Sequence, residues 1–279
     1  MWPYALGIRT YSLLLALGIA VGVAIALVSA RQGRFATGSH RGFGLILAVS
    51  LLTSLFGAKL HSLVERGTIA PLWWELSHGY RYPGAVIFAG FVLLVVARVF
   101  GVGRLVLSFG DIAAPAGCIA LVVARVGCFL AGCCHGTVSH LLWAVVFPAE
   151  SYAWEAQLSR GLIRADATAA LPVHPLQLYF AVWLLTLGIF LFWLRGRRAY
   201  VGQVLLTYLA LDNLMKFLLE HLRDPAIAHL QWTSLAIAVT AVGVMAAVRF
   251  GGALGFSAGR VPGSDHGVIP SSGSMAGQR

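Results

Sequence analysis

A chain of 279 residues that is 59% hydrophobic and only 11% charged, with mean hydropathy +0.83, falls far short of the roughly one-quarter charged residues of an ordinary soluble domain. Its net charge of +10 would suit nucleic acid. The basic residues, however, stand singly near the ends of apolar runs with no cluster interleaved with aromatics, so a nucleic-acid partner is excluded and an anionic lipid headgroup is retained. The fold class expected is an all-α integral membrane protein.

A bilayer crossing takes about 20 apolar residues, and seven runs approach this, near 10–30, 42–62, 83–101, 111–133, 174–195, 202–222 and 231–250. In the first, Val28-Ser29-Ala30 resembles a small-residue cleavage site. The run is too long for a signal core and Arg31 and Arg34 follow it, so a retained helix is expected. Its Gly and Ala residues would let neighbouring helices come close. The second run carries Gly57-Ala58-Lys59-Leu60, where Lys59 either snorkels to the interface or faces the bundle. Between the second and third runs, Trp73, Trp74, Tyr80 and Tyr82 mark an interfacial segment, and His78 there has no metal-spaced partner. Pro83-Gly84 starts the third run.

The fourth run is expected to open at Asp111 as an ordinary N-cap. It contains Pro115, which a membrane helix tolerates only where neighbours re-satisfy the freed carbonyl. From 137 to 171 comes the longest polar segment, and its Trp, Phe and Tyr residues predict a small folded cap on the outer face. The fifth run begins His174-Pro-Leu-Gln-Leu-Tyr179, with proline in the first turn. In the sixth, Asp212, Lys216, Glu220 and Arg223 are spaced by four, four and three, which places them on one helical face. That face must turn to the protein, water or a headgroup. The seventh run is bland. Residues 1–251 thus read as one transmembrane domain of about seven helices, with the cap at 137–171 and a Gly/Ser/Pro-rich tail at 252–279 expected to be disordered. Counting Lys and Arg near the helix ends favours an amino terminus outside and a carboxyl terminus in the cytoplasm.

The chemistry gathers in Ala124-Arg-Val-Gly-Cys-Phe-Leu-Ala-Gly-Cys-Cys-His-Gly136. With the charged face of the sixth helix it would form one outward-facing site. The order of residues resembles the prolipoprotein diacylglyceryl transferases of the bacterial inner membrane. The resemblance rests on Gly57 to Leu60; Asp111 with Ala114-Pro115; Arg125 to Gly132 with Gly136; Trp143 with Val146-Phe-Pro148; His174 to Tyr179; and Glu220 with Arg223 and Pro225.

Membership would imply transfer of the diacylglyceryl group of phosphatidylglycerol to the thiol of a lipobox cysteine in a secreted preprotein, at the plasma membrane and without a cofactor. The resemblance assigns catalysis to Arg125, Lys216, Glu220 and Arg223. It assigns substrate binding to Gly127, Gly132, Gly136, His174, Gln177, Tyr179 and Lys59. The planar fork of Arg125 suits phosphate oxygens. The chain departs from the family where Gly-Asn-Phe-x-Asn-Gly-Glu becomes Gly127-Cys-Phe-Leu-Ala-Gly-Cys133, where Lys216 replaces arginine, Asp212 tyrosine and Phe180 glutamate, and where Pro83 takes the place of a His or Tyr.

Cys128, Cys133, Cys134 and His135 leave three readings open: packing or a helix-end turn, a reactive thiol, and a metal or redox site. Adjacent Cys133 and Cys134 are expected to be poorly disposed to share a chelate, so no metal is assigned. A disulfide from Cys128 to one of the pair would suit an oxidising outer side. The alternative to a transferase is a membrane thiol, metal-binding or redox protein on the same scaffold. A transporter is weaker, because no inverted repeat is found and the charges cluster toward one membrane face.

Overall fold

Small residues set the architecture. In the computed structural model, α1 (Thr10–Gln32) turns Gly18, Gly22, Ala26 and Ala30 inward at one-turn intervals. They meet α4 (Gly103–Ala131) so closely that a Cβ on Gly18 would lie 2.5 Å from the Ala120 carbonyl oxygen. In lipid no hydrophobic force drives helices together, so such close backbone packing is what joins them. The structure describes residues 4–5, 8–32, 40–66, 82–224 and 228–251. The aromatic segment around Trp73 and Tyr80, His78, Pro225 and the tail beyond residue 251 lie outside these, as does the Pro83 side chain.

The remaining elements are a two-residue antiparallel pair, β1 (Tyr4–Ala5) with β2 (Ile8–Arg9), and helices α2 (His40–Arg66), α3 (Tyr82–Val99), α5 (Tyr152–Ser159), α6 (Leu176–Arg195), α7 (Gln203–Glu220) and α8 (Ala228–Gly251). The seven expected runs are thus seven long helices, with α5 as an eighth, short one inside the cap. Five of the long helices are apolar and long enough to cross a membrane. The apolar part of α3 is shorter, and α7 carries Asp212, Lys216 and Glu220. α4 is central: α1, α6, α7 and α3 pack on it, α8 packs on α7 and α2 on α3. One core joins α1, α2 and α4 through Ala26, Phe43, Ile46 and Ile112. A second joins α4, α6 and α7 through Cys118, Leu184, Leu187 and Val204. Large apolar residues such as Leu52, Phe91, Leu94, Val182 and Val239 stay exposed on the bundle's exterior, as a lipid-facing surface requires.

α4 begins at Gly103, two turns before the expected start, so Asp111 is not its N-cap. Asp111 is fully buried inside the helix and caps another one. Its Oδ2 accepts from the Gly202 N–H at 2.8 Å and its Oδ1 from the Leu205 N–H at 3.1 Å, while Arg198 lies 3.6 Å away. Gly202 holds φ 94° and offers no side chain to cap α7, so the orphan donors of that helix start are met from α4.

Residues 137–171 form a folded segment between α4 and α6. Phe147, Ala153, Ala170 and Val173 form its small core. Ser151 caps α5 through the Trp154 N–H, and Gln157 bonds both backbone groups of Leu171. An ion pair from Arg160 to Asp224 ties the cap to the chain beyond α7.

Candidate active site

The ends of α4 and α7, the start of α6 and the root of the cap meet at one end of the bundle. α4 stops because Gly132 takes left-handed backbone, φ 73°. Its N–H donates to the Phe129 carbonyl at 3.1 Å and the Cys133 N–H to that of Cys128 at 3.2 Å, the bond pair of a Schellman turn. The next segment threads between two helix ends. The Gly136 N–H donates to His174 O at 2.9 Å, the His174 N–H to Thr137 O at 3.0 Å and the Thr137 N–H to Leu222 O at 2.8 Å, with Gly136 bridged to Arg223. A Cβ on Gly136 would lie 2.6 Å from His174 Cβ and 2.7 Å from Leu222 O, so only glycine admits this crossing.

These contacts give each of the three glycines a backbone role. Gly127 is buried against α1, where a Cβ would lie 3.0 Å from Leu14 Cβ, Gly132 ends a helix and Gly136 lets three segments cross. Each acts through its backbone and shapes the site without needing to touch a substrate. The start of α6 likewise shifts slightly: helix begins at Leu176, with Pro175 before it as N-cap.

The turn from Gly132 to Gly136 draws the thiols together. Cys134 has φ 58°, unusual for a residue with a Cβ, and the Sγ atoms of Cys128, Cys133 and Cys134 all lie within 4.8 Å of one another. The expectation that the adjacent pair could not share a chelate is therefore wrong, because the left-handed residue reverses the chain. His135 does not join them. It is buried, with its Nδ1 at 3.0 Å from the Gly136 carbonyl oxygen. All four cysteines of the chain are free thiols in this structure. Hydrogen bonds from Cys128 and Cys133 hold the Cys134 thiol well below the usual range, helped by Arg223 and Arg125, and the same bonding pushes Cys133 up.

Gln177 holds this turn from α6. Its Nε2 donates to the Cys133 carbonyl at 2.5 Å. The residue is fully buried, and its Oε1 accepts no hydrogen bond among the described residues. One turn of α4 before the thiols, the Arg125 guanidinium lies 4.6 Å from the centre of the Phe180 ring, a cation–π contact. The charged face of α7 turns inward as its spacing predicts, and it resolves into two pairs. Lys216 Nζ lies 2.6 Å from Asp212 Oδ2, deeper in the bundle, while Arg223 Nη1 lies 2.9 and 3.1 Å from the two oxygens of Glu220. Of Arg125, Lys216 and Arg223, only Arg125 has no acidic partner among the described residues. Tyr179 accepts from Trp143 Nε1 at 2.7 Å and stands 3.3 Å from His174 Nδ1, which links α6 to the cap.

The structure therefore brings together Arg125, the three thiols, His174, Gln177, Tyr179, Glu220 and Arg223. Lys216 sits one turn deeper. Lys59 lies on α2 near the crossing of Gly57 with Gly84 of α3, only 4% exposed, so it faces the bundle and does not snorkel. Sequence reasoning gave no role to Phe180 or Tyr11. Phe180 was noticed only as a lost glutamate, and Tyr11, close enough for its charge to couple to the thiols and Arg125, has no partner within its own helix that could have flagged it.

Residues 2–250 match the family model described as prolipoprotein diacylglyceryl transferase. Among similar proteins, phosphatidylglycerol–prolipoprotein diacylglyceryl transferase 2 of Clostridium perfringens is 24% identical, over 79% of this chain and 81% of the relative. The corresponding transferase of Clostridium tetani is 25% identical over 80% and 84%, and that of Bordetella avium 27% identical over 79% of each. The match to a transferase family over residues 2–250, with relatives that carry the transferase name, favours an enzyme over a thiol or redox protein on a borrowed scaffold. This multi-pass membrane protein belongs to the prolipoprotein diacylglyceryl transferase family.

Proposed function

We propose that the chain transfers the diacylglyceryl group of phosphatidylglycerol to the thiol of a lipobox cysteine in a secreted preprotein, at the outer face of the bacterial inner membrane. The amino terminus and the cap then lie outside and the carboxyl terminus in the cytoplasm. The observation that carries the reading is Arg125: a guanidinium held on an aromatic ring with no carboxylate partner among the described residues, beside the thiols and the Glu220–Arg223 pair.

The reaction is a displacement at the glyceryl carbon that bears the phosphate. The acceptor thiol gives up its proton to solvent, its sulfur forms the new C–S bond, the C–O bond to the phosphate breaks, and glycerol phosphate leaves with the electron pair. Arg125 binds the phosphodiester in two-pronged fashion and stabilises the charge that grows on its oxygen. Arg223 adds a second positive charge, fixed in direction by Glu220. Lys216 acts at a distance, its charge already shared with Asp212. His174, Gln177 and Tyr179 line the approach and hold the turn; Gly127, Gly132 and Gly136 let the backbones converge around it. Lys59 and the neighbouring α2–α3 pair contribute to the wall of the bundle. Labelled phosphatidylglycerol and a lipobox peptide, given to the purified protein in detergent or vesicles, should yield a peptide thioether. No transfer by the wild type, or undiminished transfer by Arg125→Ala, refutes the assignment.

A further inference from the structure

The three thiols have a geometry that the transfer reaction, as described, does not use. Their sulfurs lie within 4.8 Å of one another, whereas Zn–S bonds of about 2.3 Å arranged tetrahedrally put sulfurs about 3.8 Å apart, so closing on an ion needs only small side-chain rotations. Two come from a reversed turn and one from the last turn of α4. The turn is fixed independently, by the Schellman bonds of Gly132 and by Gln177 on the Cys133 carbonyl. Among the described residues no fourth Cys, His, Asp or Glu joins the group. Three protein ligands with one open position is the arrangement of catalytic zinc sites, whereas structural sites close all four. Arg125 and Arg223 offset the negative charge that three thiolates leave on such a complex.

We propose that Cys128, Cys133 and Cys134 hold a Zn²⁺ ion whose open fourth position takes the sulfur of the acceptor cysteine. This rests on the transferase reading for the identity of the acceptor, but the metal site itself does not. The acceptor thiol loses its proton to solvent on binding zinc, because a coordinating thiol is deprotonated. The resulting thiolate attacks the glyceryl carbon, and glycerol phosphate departs from Arg125. The product sulfur is then a neutral thioether, a far weaker ligand, so it leaves and the position reopens. No electron is gained or lost, which suits a metal without redox chemistry. Copper(I), the other soft ion, is satisfied by three thiolates and would offer no position to a substrate. In this chain zinc thus supplies thiol activation where the family's asparagines and glutamate have been replaced by Cys128, Ala131 and Cys133.

The test uses intact protein purified in detergent without chelator. About one zinc per chain is expected, with three sulfurs near 2.3 Å in the X-ray absorption spectrum. Cys133→Ser and Cys134→Ser should each reduce bound zinc at least about tenfold. Should these variants misfold, competition for the metal by a chromophoric chelator on the wild type gives the same information. Adding a lipobox peptide should raise the sulfur count from three to four, and its Cys→Ser analogue should not. Chelation should slow transfer at least about tenfold, with recovery on adding zinc. Wild type that is metal-free yet fully active overturns the proposal and leaves the transferase reading intact. So does copper(I) in place of zinc, or a sulfur count that stays at three with peptide. A fourth sulfur without any thioether product supports the metal site and refutes the transferase reading instead.

Discussion

α4 carries a buried polar cluster at each end, and the two are built on opposite principles. At its beginning, both oxygens of Asp111 accept backbone N–H groups at the start of α7, and Arg198 pairs with that carboxylate at 3.6 Å while its Nε makes no hydrogen bond among the described residues. At its end, Arg125 has a ring for company, three thiols lie within 4.8 Å of one another, and the buried Oε1 of Gln177 accepts no hydrogen bond among the described residues. Buried polar groups that are satisfied fix a fold, and those left short of partners are the ones available to a ligand. The same helix thus has a closed end that holds the bundle together and an open end that has chemistry to do.

The sharpest way to break this comparison is to remove one member from each end. Asp111→Ala leaves Arg198 and the first N–H groups of α7 buried without a partner, so it should destabilise by about 3–5 kcal/mol. Thermal unfolding in detergent would show it, with transfer by the remaining folded protein little changed. Arg125→Ala should do the reverse, reducing transfer about 10²–10³-fold while the unfolding temperature moves little. If Asp111→Ala leaves stability intact, or Arg125→Ala lowers it as much as Asp111→Ala does, the division between the ends fails.

Hydropathy makes the helices legible because each must present about 20 apolar residues to lipid, and all seven long helices overlap the expected runs, with α4 starting two turns early. The sixth run shows how far this extends. Its four-residue spacing predicts a shared inward face, and the structure adds that the face splits into the Asp212–Lys216 and Glu220–Arg223 pairs. Pairing across the chain is not legible. Asp111 looks like a cap for its own helix because capping is a local rule, whereas its real partners lie 91 and 94 residues away. The cysteines mislead for a related reason. Spacing rules assume ordinary backbone, and the positive φ of Cys134 belongs to a turn held by contacts remote in sequence, Gln177 on the Cys133 carbonyl and Gly136 between His174 and Leu222.

That clamp can be tested at smaller cost. Gly136→Ala places a methyl group 2.6 Å from His174 Cβ, so the ends of α6 and α7 must part. Overpacking of this kind costs about 1–3 kcal/mol, and because the turn carries the thiols, transfer should fall with it. The control is Gly117→Ala within α4, where a Cβ meets nothing within 4 Å and stability should change by no more than about 1 kcal/mol. Equal effects of the two substitutions would mean that the crossing at Gly136 is not tight.

The smallest effect belongs to the rim of the open end. Trp143 is 58% exposed yet donates to Tyr179 at 2.7 Å, and this bond joins the cap to the helix that carries Gln177. Trp143→Phe keeps the aromatic surface and removes only the donor, so it should cost about 0.5–1.5 kcal/mol at most. Tyr179 can still reach His174 and water, which limits the loss. If the bond positions the cap over the site, the loss should appear as a several-fold rise in KM for the lipobox peptide, with kcat and the unfolding temperature nearly constant. A fall in kcat with KM unchanged would instead place the Trp143–Tyr179 pair inside the reacting constellation, and the open end would then extend from the thiols to the cap.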